Sequence, residues 1–186
     1  MTCIVGWTDG AQMVMGADSL AASAWDVRVR RDPKLFRLAQ QGGPSSLIGF
    51  TSSYRMGQLL MGLTLPSDLT ADPFAWMVDQ FIPAVRMRLK DGGYTKIENT
   101  REAGGTFLMA YRGRIFEVCD DFQVAENAAG FAAIGCGAAY ALGALSVLDV
   151  ATDPEGKLRV ALGVAEALSG AVRGPMLIER VQLAGS

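Results

Sequence analysis

The sequence contains no histidine. That absence excludes the Ser-His-Asp triad, the Cys-His pair and nearly every common zinc hydrolase site, all of which need an imidazole. A hydrolase built from this chain must take its base from an amine or a carboxylate. Cysteine is scarce as well. Cys3, Cys119 and Cys136 stand far apart and form no C-x-x-C pair, so neither a disulfide framework nor a structural zinc site is expected. Charge is nearly balanced, at a net -2, which offers no basic field for nucleic acid or an acidic membrane. Long apolar runs are missing too. Gly, Asp or Arg interrupts them within about 10 residues, against the roughly 20 that a spanning helix requires. No basic leader followed by an apolar stretch precedes Asp9. These absences predict a soluble, cytoplasmic protein with no metal, no cofactor, no nucleic-acid partner and no membrane contact.

What is present is a core. Half of the residues are hydrophobic and 19% are charged, the balance of a folded domain and not of a disordered chain. The length suits a single domain over 1–186. Residues 2–8 and 11–17 are apolar, partly alternating runs joined by Asp9-Gly10, a hairpin signal because a tight turn needs positive φ. A loop is expected over 19–26, strands over 27–31 and 34–38, a turn over 40–45, and a buried strand over 46–51. The period then becomes helical. One helix is predicted near 54–63, and a second runs from an Asp72 cap to about Lys90, with Pro83 disturbing it. A polar connection covers 91–103. Strands return at 105–111, 114–119 and 131–134, helices follow over 138–149 and 155–172, and a last strand spans 176–182.

Hairpin-linked strands imply antiparallel sheets, and runs apolar on both faces imply strands sandwiched between other layers. Two helix pairs and two strand groups suit an α+β, four-layer αββα sandwich. A two-layer α+β domain is the simpler alternative.

Three residues carry candidate chemistry. Thr2 follows a start methionine and is small enough for methionine aminopeptidase to expose it. The freed α-amine, with a pKa of about 7.7–8.0 in free peptides, could take the proton of its own hydroxyl. Lys34 sits among apolar neighbours, where an ammonium can lower the pKa of a nearby nucleophile. Asp18 ends the second run and could pair with Lys34. Each also has a plain reading: a second residue, a strand lysine, a turn aspartate. Cys3 alternates to the opposite face from Thr2. Cys119 and Cys136 read as small apolar residues. The arginines of 27–31 line one strand near the site or a subunit edge.

In this order and spacing, Thr2, the Asp9-Gly10 hairpin, Gly16-Ala17-Asp18 and Lys34-Leu35-Phe36-Arg37-Leu38 resemble proteasome β subunits and their bacterial HslV relatives. Gly49 to Ser53 resembles that family's oxyanion loop, and Ile134-Gly135-Cys136-Gly137 resembles the segment that opens its third helix. The likeness runs from residue 2 to about 150. It implies the N-terminal nucleophile hydrolase fold and peptide-bond hydrolysis through an acyl-enzyme on Thr2. Lys34 and Asp18 would be its charged partners, with backbone N–H groups near Ser52 holding the oxyanion and Cys136 in the supporting position. It further implies self-association into a ring or related homo-oligomer, and leaves room for an ATPase unfoldase as partner. Four positions depart from the pattern. Cys136 stands for a serine and Ser52 for a glycine, and the aspartate and serine usual near 170–173 are absent. A non-catalytic subunit of the same fold and an amidase acting on a small amide are the alternatives.

Overall fold

The computed structural model describes residues 1–23, 26–38, 45–68, 70–98, 100–148 and 153–183. Most of the turn expected over 40–45 lies outside them. The chain opens on β1 (Cys3–Thr8) and β2 (Gln12–Ala17), an antiparallel hairpin in which Thr8 faces Met13 and Ile4 faces Ala17. Asp9 closes the turn by accepting the Ala11 and Gln12 N–H groups, and Gly10 takes the positive φ. A short ribbon follows, β3 (Leu20–Ser23) against β4 (Asp26–Val29). Then come β5 (Leu35–Leu38) and β6 (Ser46–Phe50).

The first helical layer holds α1 (Tyr54–Met61), α2 (Pro73–Trp76), a π-helical turn (Met77–Phe81) and α3 (Ile82–Asp91). The Asp72 side chain caps α2 by accepting two backbone N–H groups. The disturbance expected at Pro83 takes the form of the π-helical turn just ahead of it. Pro lacks an N–H for the regular ladder, and a wider turn absorbs the mismatch. Strands β7 (Lys96–Glu98) and β8 (Arg101–Ala103) form a second ribbon. After them come β9 (Phe107–Tyr111), β10 (Arg114–Val118), β11 (Val124–Glu126) and β12 (Phe131–Gly135). Helices α4 (Ala138–Val147) and α5 (Pro154–Leu168) precede the closing strand β13 (Leu177–Gln182).

Two antiparallel sheets result, in the orders β12-β1-β2-β13 and β11-β10-β9-β6-β5. Three apolar layers hold the stack together. Ile4, Met15, Leu47, Leu108 and Ile115 fill the space between the sheets. Cys3, Val5, Val14, Leu158 and Leu162 seal the first sheet to α4 and α5. Ile48, Phe50, Met56, Trp76 and Phe107 seal the second sheet to α1, α2 and α3. Alternate residues of one strand thus serve different layers, and every residue of β6 and β9 is buried, as expected of strands covered on both faces. The four layers run αββα. The sheets approach so closely at Gly49 that a Cβ there would lie 2.4 Å from the Ile4 side chain.

Several elements depart from the sequence reading. Residues 20–23 are a strand, not a loop, because they pair with β4. The polar connection over 91–103 contains β7 and β8, and β11 was not expected. Helix α5 stops at Leu168, since Ser169 is already extended at φ -125 and ψ 118.

Candidate active site

The hairpin register brings Thr2 and Asp18 to one end of the first sheet. Asp18 donates its N–H to the Cys3 carbonyl at 3.2 Å, and the Cys3 N–H returns to Asp18 Oδ1 at 3.0 Å. Lys34 arrives from the second sheet, directly before β5, and its carbonyl accepts the Phe50 N–H at 3.0 Å. Lys34 Nζ lies 2.8 Å from Asp18 Oδ1, and the two side chains are 2% and 0% exposed. This ion pair joins the two sheets at the end where Thr2 sits.

A buried pair is costly unless its remaining hydrogen-bonding capacity is met. Here it is met by the main chain. Besides Cys3, the N–H groups of Leu20 and Arg173 reach Asp18 Oδ2 at 3.1 and 3.4 Å. Burial pushes the Lys34 ammonium below the ordinary lysine range, and the Asp18 carboxylate pushes back. Burial also raises the Cys3 thiol to about 12, which keeps it protonated, and its side chain belongs to the layer under α4 and α5.

Thr2 is 4% exposed. Its hydroxyl donates to the Met1 carbonyl, which also accepts from Lys34 Nζ at 3.2 Å. The turn between β12 and α4 wraps its main chain. The Gly137 N–H donates to the Thr2 carbonyl at 3.3 Å. Gly135 has φ +92, and a Cβ there would lie 2.3 Å from the Thr2 carbonyl oxygen. Cys136, between them, is exposed, and its thiol makes no hydrogen bond among the described residues. Ser52 lies in the β6–α1 connection at φ 68. Its Oγ accepts the Thr106 N–H at 3.2 Å. Its own N–H has no acceptor among the described residues. Ser53 caps α1 by accepting the Arg55 N–H at 3.1 Å.

Thr2, Lys34 and Ser52 share a cavity of about 420 Å3 with Leu20, Arg28 and Arg30 of the β3–β4 ribbon. The structure therefore brings Thr2, Asp18 and Lys34 into one group, sets Ser52 on the cavity wall and leaves Cys136 on an adjoining turn. It adds contributors that the sequence did not single out, Leu20 and the main chain of Arg173, and it sets Gly135, of the segment named above, against the Thr2 carbonyl. Arg28 and Arg30, placed by sequence near the site or at a subunit edge, line the cavity. Their alternation with Val27 and Val29 is the signal that puts both arginines on one side. Among the described residues, no group of His, Cys, Asp and Glu could hold a metal ion, and no helix is long and apolar enough to cross a membrane.

No protein-family model matches the chain, and no curated protein does either. Solved structures do match. BPH from Thiobacillus denitrificans, solved in complex with epoxomicin, is 20% identical with a TM-score of 0.78, over 99% of this chain and 100% of that one. Eukaryotic HslV from Trypanosoma brucei is 18% identical with a TM-score of 0.69, over 98% of this chain and 100% of that one. The Anbu complex from Pseudomonas aeruginosa, solved as a helical assembly, is 16% identical with a TM-score of 0.68, over 98% of this chain and 81% of that one. The chain has their fold, that of the proteasome-like N-terminal nucleophile hydrolases.

Proposed function

We propose that this chain, with its proteasome-like fold, is a threonine hydrolase acting on peptide bonds once Met1 has been removed. The observation that carries this reading is the buried Lys34–Asp18 pair, 2.8 Å long, set beside Thr2 at the wall of a cavity. Removal of Met1 frees the Thr2 amine and releases both the Thr2 hydroxyl and Lys34 Nζ from the Met1 carbonyl. The amine then takes the hydroxyl proton, directly or through a water, as Oγ attacks the substrate carbonyl carbon. The Lys34 ammonium favours the developing alkoxide by its charge. The oxyanion of the tetrahedral intermediate accepts backbone N–H groups around Ser52. Collapse breaks the C–N bond, and the departing amine leaves with the proton held by the Thr2 ammonium. A water then attacks the ester, gives a proton to the same amine, and displaces Thr2 Oγ, which recovers that proton.

The test is covalent labelling by an epoxyketone such as epoxomicin, together with peptide hydrolysis, in the native chain and in Thr2→Ala. The native chain labels and cleaves, and Thr2→Ala does neither. Undiminished hydrolysis in Thr2→Ala would sink the proposal.

One observation favours a second reading. With Met1 in place, its carbonyl holds both the Thr2 hydroxyl and Lys34 Nζ, and the Thr2 nitrogen is an amide with no basicity. A chain that retains Met1 is a non-catalytic subunit. The intact mass of the native protein separates the two readings. Self-association belongs to both. Large apolar side chains project from the outer helices, with Val147 at 83% and Leu168 at 62% exposure, a feature that favours burial against another copy.

A further inference from the structure

Three basic side chains line the cavity beside Thr2 among the described residues, and they are not equivalent. Lys34 is matched by Asp18. Arg30 is matched by Asp32, with Nε and Nη2 at 2.8 and 2.5 Å from its two carboxylate oxygens, and its guanidinium rests 3.9 Å over the Tyr54 ring. Arg28 has no such match. It forms neither an ion pair nor a side-chain hydrogen bond among the described residues, although Asp26 stands two positions before it on β4. Its cross-strand neighbour is Ala21, which also lines the cavity and is too small to cover the guanidinium. No Asp or Glu is among the described residues that line this space.

An arginine is always charged and presents a planar fork of donors that fits a carboxylate with two parallel bonds. Arg28 is exposed on β4, so water and salt screen its charge, and its attraction for an entering anion is that of a surface guanidinium on the cavity wall, strongest at low ionic strength. The other two basic side chains already have their counter-charges, so Arg28 is the basic side chain of the described lining that lacks one, beside the N-terminal amine carried by Met1 or, after its removal, by Thr2. We infer that Arg28 makes the site selective for acidic peptides, with a side-chain carboxylate on the residue that acylates Thr2 or on its neighbour. That the occupant is a peptide rests on the hydrolase reading above. The charge preference belongs to the cavity itself.

Paired peptides that differ only in Glu or Gln at the residue acylating Thr2, or at its neighbour, test the inference in two ways. The first measures kcat/KM with the chain lacking Met1. The second measures Kd by fluorescence anisotropy on Thr2→Ala, which binds without turnover. In both, the Glu peptide is favoured by about threefold to fivefold at low salt, the scale of one exposed charge pair, and the ratio shrinks as ionic strength rises. Arg28→Gln brings the ratio close to one, Arg28→Glu reverses it, and Arg28→Lys keeps part of it. A ratio near one in native binding, or one unchanged in Arg28→Gln, overturns the inference, while Thr2-dependent cleavage of either peptide leaves the hydrolase reading standing. Glu-selective binding without any cleavage supports the role of Arg28 and defeats the hydrolase reading instead.

Discussion

Asp18 is held by the Lys34 ammonium and by the N–H groups of Cys3, Leu20 and Arg173. Lys34 has fewer supports, Asp18 and the Met1 carbonyl. The two halves of the pair are therefore unequal. Lys34→Met leaves a carboxylate that still accepts three backbone N–H groups. Asp18→Asn leaves a buried ammonium without a counter-charge, which costs about 3–5 kcal/mol when uncompensated. Both variants are expected to lose epoxyketone labelling. Asp18→Asn is expected to lower the urea midpoint more than Lys34→Met does, and equal midpoints would contradict the asymmetry. The same pair sets the pH response. Hydrolysis rises with pH as the Thr2 amine loses its proton near about 7.7–8.0 and falls as Lys34 loses its own. Burial lowers the second pKa, so the descending limb of kcat/KM falls below the ordinary lysine range. A profile flat through that range would remove Lys34 from the mechanism.

At the scale of elements, the turn between β12 and α4 is the part with least tolerance. Gly135 combines φ +92 with a missing Cβ that would meet the Thr2 carbonyl oxygen at 2.3 Å. Gly135→Ala is expected to cost about 1–3 kcal/mol in backbone strain alone and to push β1 away from Lys34. Chemical denaturation reads the first effect, and slower labelling of Thr2 reads the second. Much of this architecture was legible in the sequence. Asp9-Gly10 marked the first hairpin, and the unbroken apolar runs of β6 and β9 marked strands covered on both faces. Thr2, Asp18 and Lys34 stood out through the resemblance of their order and spacing to proteasome β subunits, with the absence of histidine in support. What escaped were the short ribbons β3–β4 and β7–β8 and the edge strand β11. Each is only three or four residues long, and among their described side chains Leu20 alone is buried, so no clear periodicity announces them. The main-chain role of Arg173 was hidden for a related reason, since a backbone N–H leaves no trace in residue type.

Across the whole molecule, the three buried apolar layers and the apolar side chains left outside serve different ends. The layer between the sheets and the two beneath the helices close the fold. The outer faces of the helices remain partly apolar, with Met87 and Leu168 more than half exposed. A chain of 19.7 kDa that covers such faces with copies of itself is expected to show a native mass several times that value by light scattering. A monomer at micromolar concentration would argue against assembly.

The cradle around Asp18 also has a history in time. Its Arg173 N–H lies 155 residues further along the chain, and β13, which flanks β2 in the first sheet, follows later still. A ribosome that has made Thr2, Asp18 and Lys34 must add most of the remaining protein before that carboxylate is fully held. At roughly 5–20 residues per second this takes on the order of ten seconds. Nascent and prematurely ended chains thus carry Thr2 without its finished setting, and under the proposed reading such an unfinished copy would lack the support that hydrolysis requires.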